Sequence, residues 1–107
     1  MTLSNAPVVG FVATTQPIRA RQFYQNILGL QLVSDEDFAL IFDSNGIMLR
    51  IQKVDKFTAQ PFTVLGWSVS DLAACVGDLV AKGVEMLRVP GLVQDSLGIW
   101  DADERVS

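Results

Sequence analysis

The chain has 107 residues, half of them hydrophobic, so it is long enough to bury a packed core as one small domain. Twelve acidic and eight basic residues give a net charge of −4 at pH 7, and an acidic surface repels the phosphates of nucleic acid. No apolar run approaches the roughly 20 residues that a membrane span needs. The composition therefore argues against nucleic-acid and membrane partners.

Two further features bear on the compartment. Residues 1–7 show neither the basic nor the apolar stretch of a secretion signal. The single cysteine, Cys75, cannot form a disulfide bond within the chain, which suits a reducing environment. We therefore expect a cytoplasmic protein.

The first half of the chain predicts a strand, a helix and three further strands. Residues 8–14 form an apolar, strand-like run, and Pro17 suits the first turn of the helix that follows. Gly29 supplies the left-handed conformation that ends this helix. Its apolar residues recur at spacings of three and four, at Ala20, Phe23, Tyr24, Ile27 and Leu28. Strands are predicted over residues 30–33, 38–42 and 47–54, with a turn at 43–46.

The second half repeats the start of this order. A strand is predicted over residues 62–69, and Ser70 is predicted to cap a helix that ends at Gly83. Further strands are predicted over 84–89 and 97–100. Gly29 and Gly83 lie 54 residues apart, which predicts an internal duplication whose second copy is one strand short.

Several short motifs resemble those of a known family. Phe23-Tyr24 followed by Leu28-Gly29-Leu30 resembles the end of the first helix in the vicinal oxygen chelate superfamily, which includes glyoxalase I, bleomycin resistance proteins and extradiol dioxygenases. Asp71-Leu72 resembles the opening of the family's second helix, and Gly98-Ile99-Trp100 its penultimate strand.

The resemblance implies one α+β domain over residues 1–107. In it, two βαβββ units, at about 7–56 and 61–107, form a curved mixed sheet around a concave ligand cup. The last strand of the second unit has no counterpart in the sequence. The strand at 62–69 would then have an unpaired apolar edge, which another subunit or a further segment of chain would cover. We therefore expect a homodimer.

The resemblance also implies a metal site whose usual ligands this chain lacks. Metal-dependent members carry a ligand, often histidine, on the first strand of each unit, and carboxylate or amide ligands on the last. The first-strand positions fall at Val9 and Val64, and the chain contains no histidine. Gln52 is the one side chain near a last-strand position. We expect neither a metal nor another cofactor.

A metal-free cup is the interpretation that remains. On strand 47–54, the apolar Leu49 and Ile51 should pack on the helices, which points Arg50 and Gln52 into the cup. Arg50 either binds a carboxylate through two hydrogen bonds or lies solvated at the rim. The candidate ligand-binding residues are Phe11, Phe42, Arg50, Gln52, Ser68 and Trp100. The aromatic members either form flat ligand walls or belong to the ordinary core.

The remaining chemically distinctive residues have structural interpretations. We expect Trp67 to lie in the core and Cys75 to be a buried, inert thiol. The acidic turn 35–37 and the acidic residues at 101–104 are expected to be solvated loops. Catalysis by a triad that contains histidine is impossible without histidine, and we predict no catalytic residue.

Three classes of function remain open. The first is binding or sequestration of a small apolar or aromatic molecule, as the resemblance to bleomycin resistance proteins implies. The second is a lyase or dioxygenase, whose metal ligands a partner chain or a further segment would have to supply. The third is a structural or interaction module.

The apolar residues Val9 and Val64 at the expected ligand positions give the first testable prediction. Iron, zinc and nickel sites in proteins depend on imidazole or thiolate ligands. We therefore predict that the purified protein, after dialysis, contains none of these metals in stoichiometric amount. Elemental analysis, with the dialysis buffer as the blank, checks this. One equivalent of any of the three retained by the protein would contradict it.

Overall fold

The computed structural model describes residues 2–100, which divide into two compact units. The first unit extends to Trp67 and the second begins at Ser68. Residues 61–67, which the sequence predicts as the start of the second repeat, thus belong with the first unit.

A four-stranded mixed sheet is the frame of the first unit. The strands are β1 (Val9–Thr14), β2 (Gln31–Asp35), β3 (Ala39–Ser44) and β4 (Ile47–Lys53), and their order across the sheet is β1-β4-β3-β2. β1 runs parallel to β4, while β3 is antiparallel to both β4 and β2. The predicted order of strand, helix and three strands is confirmed here, and so is the α+β class.

The helix between β1 and β2 begins and ends where the sequence predicts. α1 (Pro17–Gln22) has Pro17 in its first turn and continues as a wider π-helical turn over Phe23–Ile27. In that turn the Leu28 N–H donates to the Phe23 carbonyl oxygen at 3.0 Å. Gly29 follows with a φ of 76°, which a residue with a side chain rarely adopts.

The core lies between the sheet and this helical segment. It is a cluster of four buried residues from β3 and β4: Leu40, Phe42, Leu49 and Ile51. Ala20 and Tyr24 pack against this cluster, as the helical spacing of the apolar residues predicts. Removal of this apolar surface from water is the main stabilising term of the unit.

A tight hairpin joins β3 to β4. Asn45 and Gly46 have φ values of 50° and 88°, the pair of positive angles found in two-residue turns that match the twist of a hairpin. The turn is shorter than the predicted segment 43–46, because β3 continues through Asp43 and Ser44, which pair with Met48 and Ile47. Asp43 is therefore a strand residue with a defined face.

The second unit contains one helix, α2 (Leu72–Ala81). Its cap is Asp71, whose Oδ1 accepts from the Ala74 N–H at 3.0 Å, so the predicted cap at Ser70 is one residue too early. Gly83 follows the helix with a φ of 94°. No helix within residues 2–100 has both the length and the apolar character to cross a membrane.

The strands predicted over 62–69, 84–89 and 97–100 do not form within residues 2–100, where only an isolated bridge joins Gln94 to Trp100. A strand requires backbone hydrogen bonds to a neighbour, and in residues 87–99 side chains take several of those bonds. The Gln94 amide bonds the backbone of Leu87, Val89 and Gly98 at 2.7–2.9 Å. Local bonds of this kind compete directly with strand pairing.

Asp35 connects three elements of the first unit. Its carboxylate lies 2.9 Å from the Arg21 guanidinium on α1 and 2.6 Å from Lys53 Nζ on β4. The hydrogen bond from Lys53, followed by the one from Arg21, holds the pKa of Asp35 below its usual value. Asp35 thus ends β2 in an ion-pair cluster, rather than lying in a purely solvated turn. The acidic residues at 101–104 lie outside the described residues.

The Asp35 cluster predicts a pH-dependent contribution to stability. Because the pKa of Asp35 is lower in the folded chain than in the unfolded one, the contribution is present at neutral pH. It is lost as the pH falls from about 5 to about 2. The stability difference between wild type and Asp35→Asn, from urea unfolding, should therefore shrink across that range. Asp37→Asn, which removes an acidic residue with no ion pair in residues 2–100, is the control. If the stability difference between wild type and Asp37→Asn shrinks equally across that pH range, the assignment to the Asp35 ion pairs is wrong.

Candidate functional site

The face of the sheet turned away from α1, here called the open face, carries the alternate residues of the strands. Leu49 and Ile51 of β4 face α1. Because side chains alternate along a strand, Met48, Arg50 and Gln52 point the other way. The strand register places these residues in three rows, which are Val9–Met48–Asp43, Phe11–Arg50–Ile41 and Ala13–Gln52–Ala39. Neighbours within a row are about 5 Å apart, and successive rows are about 7 Å apart.

Three of the predicted ligand-binding residues share this face. Phe11 and Arg50 are direct partners across β1 and β4, and Gln52 lies one row further along β4. The Phe11 side chain is 57% exposed and Arg50 is half-buried. The Arg50 guanidinium forms no hydrogen bond or ion pair with another residue in the range 2–100. It is therefore available to an external partner.

Phe42 differs from these three residues, because its side chain lies in the core, although the residue also borders a hollow on the open face. It pairs with Leu49, faces α1 and is fully buried, with its ring centroid 5.8 Å from that of Tyr24. The residues of β3 on the open-face side are its neighbours Ile41, which is itself only 2% exposed, and Asp43. Side chains alternate along β3 as they do along β4. The same reasoning that directed Arg50 to the open face would therefore have placed Phe42 in the core.

Ser68 and Trp100 belong to the second unit, whereas Phe11, Arg50 and Gln52 belong to the first. Ser68 is exposed and outside any strand; Trp100 is half-buried. Trp67, expected in the core, is 45% exposed, and its indole N–H donates to Ser44 Oγ at 2.9 Å. Cys75 is only partly buried.

A shallow hollow of about 400 Å³ lies at the Val9 end of the open face. Its walls are mainly apolar and include Pro7, Val8, Val9, Val33, Ile41 and Met48. The size suits a small ligand. Val33 joins these walls at a bulge in β2, where the register with β3 shifts between Leu32 and Ser34. The sequence gives no signal for this bulge, but alternation from Leu32, which packs on the core, would have placed Val33 on the open face.

The open face carries one acidic and one basic group that do not pair with each other. Asp43 lines the hollow, and Arg50 lies in the adjacent row on the next strand. Diagonal neighbours of this kind are separated by about 7–8 Å, and no ion pair joins these two. The hollow therefore has a negative charge in its wall, and a positive charge lies one row beyond it.

The described residues do not fit the metal site that the resemblance implies. Val9, at the expected ligand position, pairs with Met48. Gln52 lies four residues beyond Met48 along β4, where it pairs with Ala13. It is therefore about 13 Å from the Val9–Met48 pair. Within residues 2–100, no group of three or more His, Cys, Asp or Glu side chains could hold a metal ion.

Comparisons with known proteins agree with this architecture. The family model described as Glyoxalase/Bleomycin resistance protein/Dioxygenase superfamily matches residues 8–99. The fold is similar to that of lactoylglutathione lyase from Agrobacterium tumefaciens, with a TM-score of 0.57 and 15% identity over 88% of each chain. TioX from Micromonospora sp. ML1 gives a TM-score of 0.57 and 19% identity, over 88% of this chain and 84% of that one. These identities show similarity of fold alone, and no curated protein matches the chain in sequence.

Two phenylalanines on opposite faces of the sheet give a test of this geometry. Phe42→Ala should lower the free energy of unfolding by about 3–5 kcal/mol, because it leaves a cavity in the core. Phe11→Ala, on the open face, should lower it by less than about 1 kcal/mol. Urea unfolding of both variants provides the measurement. Equal losses in the free energy of unfolding for the two variants would mean that Phe11 is buried in the folded protein, which contradicts its place on the open face.

Proposed function

We propose that this chain, which belongs to the Glyoxalase/Bleomycin resistance protein/Dioxygenase superfamily, binds a small, partly aromatic molecule on the open face without a metal ion. The observation that carries the proposal is the Phe11–Arg50 pair, which sets an exposed ring beside an unpaired guanidinium at the edge of an apolar hollow.

The charges on the open face indicate the chemistry and orientation of this ligand. A carboxylate on the ligand would pair with Arg50 through charged hydrogen bonds, and its ring would pack on Phe11. Asp43, which lines the hollow one row away from Arg50, would repel the carboxylate from the hollow itself. The ligand should therefore place its apolar part against Val9 and Met48, and its anionic part towards Arg50 and Gln52.

This arrangement favours a role in carrying or sequestering the ligand over a catalytic role. A lyase or dioxygenase of this superfamily remains the alternative, and one of the similar folds is a lactoylglutathione lyase. That alternative requires a partner chain or a further segment to supply metal ligands, since Val9 offers no donor atom.

We further propose that the protein acts as a homodimer in the cytoplasm. Among the described strands β1 pairs only with β4, so its outer edge presents backbone N–H and C=O groups to which a second copy could bind. The thiol of Cys75 is free, which is compatible with a reducing compartment.

Binding of 2-naphthoate, an aromatic carboxylate, tests the proposal by isothermal titration calorimetry. Arg50→Ala should weaken this binding by about 1.5–3 kcal/mol, the usual value of a hydrogen bond to a charged group. Arg19→Ala is the control, because it removes the same charge from α1, on the other side of the sheet. If Arg50→Ala binds as tightly as wild type, Arg50 is a solvated rim residue and the proposed orientation is wrong.

A further inference from the structure

A second hollow, distinct from the one at the Val9 end of the open face, lies beside β1, where it is lined by Val12 from the α1 side of the sheet and by Ala13 from the open face. Its volume is about 380 Å³, and it shares no lining residue with the hollow at the Val9 end of the open face. The walls are formed by Val12, Tyr24, Phe57, Val64 and Leu65, with Gln60 and Thr63 also lining it. All these residues belong to the first unit.

Tyr24 gives this hollow a fixed polar group. Its ring stands edge-on to Phe23 at 5.4 Å and tilted against Phe42 at 5.8 Å, so the direction of its hydroxyl is set by packing. The hydroxyl forms no hydrogen bond to any other residue in the range 2–100. No fully buried side-chain N or O atom in that range lacks a partner, so the Tyr24 hydroxyl is accessible to solvent, and Tyr24 lines the hollow. Burial raises the pKa of Tyr24, so the group keeps its proton at neutral pH and can donate it in a hydrogen bond.

The segment 57–65 forms the outer wall. Leu65 packs on the core, while Phe57 and Val64 remain 54% and 62% exposed. These two side chains leave an apolar opening over Val12 and Tyr24. An apolar ring that entered here would cover surface that is otherwise exposed to water, which is favourable.

The charges around this hollow distinguish its ligand from that of the open face. None of its lining residues is charged, so a buried carboxylate or ammonium group would find no partner there, at a large cost. Arg19 lines an adjacent hollow of about 330 Å³, which shares Ala13 and Phe57 with this one. We infer that the hollow at Tyr24 is a second binding site, for a neutral aromatic molecule that accepts a hydrogen bond from the Tyr24 hydroxyl.

Acetophenone is a suitable probe, because its ring is neutral and its carbonyl oxygen accepts a hydrogen bond. Titrated into the full chain and followed by NMR, it should shift the amide signals of Val12 and Leu65. Tyr24→Phe should weaken its binding about three- to tenfold, the effect of one lost hydrogen bond. Ethylbenzene, which has a similar shape without the carbonyl, should bind wild type and Tyr24→Phe equally.

Two exposed valines of nearly equal exposure allow a matched steric test. Val64→Trp should fill the opening at Tyr24 and abolish acetophenone binding, with no change in the binding of 2-naphthoate. Val33 is 61% exposed and lines the hollow on the open face. Val33→Trp should therefore abolish 2-naphthoate binding, with no change in the binding of acetophenone. Since both residues are exposed, neither change should alter the urea midpoint.

The two probes also separate this inference from the proposed function. Failure of 2-naphthoate to bind would count against the open face alone. Acetophenone shifts confined to Val9, Phe11 and Met48, or acetophenone affinity unchanged in both Tyr24→Phe and Val64→Trp, would overturn the second site.

Discussion

The packing of β3 and β4 against the α1 segment is the constraint on which the rest of the first unit depends. Phe42 and Leu49 are partners across the two strands, and both are buried under Tyr24 and its neighbours. Because side chains alternate along a strand, burying these two residues forces Ile41 and Arg50 to the opposite face. A slip of one residue in the register would bury the Arg50 guanidinium without a partner, at a cost that the core could not offset.

This one constraint creates two surfaces of different chemistry. The open face carries the separated charges of Asp43 and Arg50 around an apolar hollow, so it suits a ligand that is itself partly charged. The polar groups that line the hollow at Tyr24 are all neutral, and the packing of the Tyr24 ring sets the direction of its hydroxyl. The two proposed sites follow from which side of the sheet each residue occupies.

The second unit shows how side chains can replace strand pairing. The family match extends to residue 99, yet the described strands all lie in the first unit. In the second unit, the Gln94 amide and the Asp95 carboxylate bond backbone groups across residues 87–99. The Arg88 guanidinium adds bonds to the carbonyl oxygens of Asp95 and Ser96. These contacts satisfy backbone groups that a neighbouring strand would otherwise pair.

The sequence by itself determined the features that depend on near neighbours in the chain. These are the strand and helix order of residues 9–53, the helix end at Gly29, the hairpin at Asn45-Gly46, and the direction of Arg50 and Gln52. The tertiary structure alone decided that residues 61–67 belong with the first unit, that β2 carries a bulge between Leu32 and Ser34, and that Tyr24 keeps an unbonded hydroxyl beside a hollow. Periodicity and turn chemistry act over a few residues, whereas strand partners, bulges and cavities depend on which distant segments meet, and a local pattern carries no record of that.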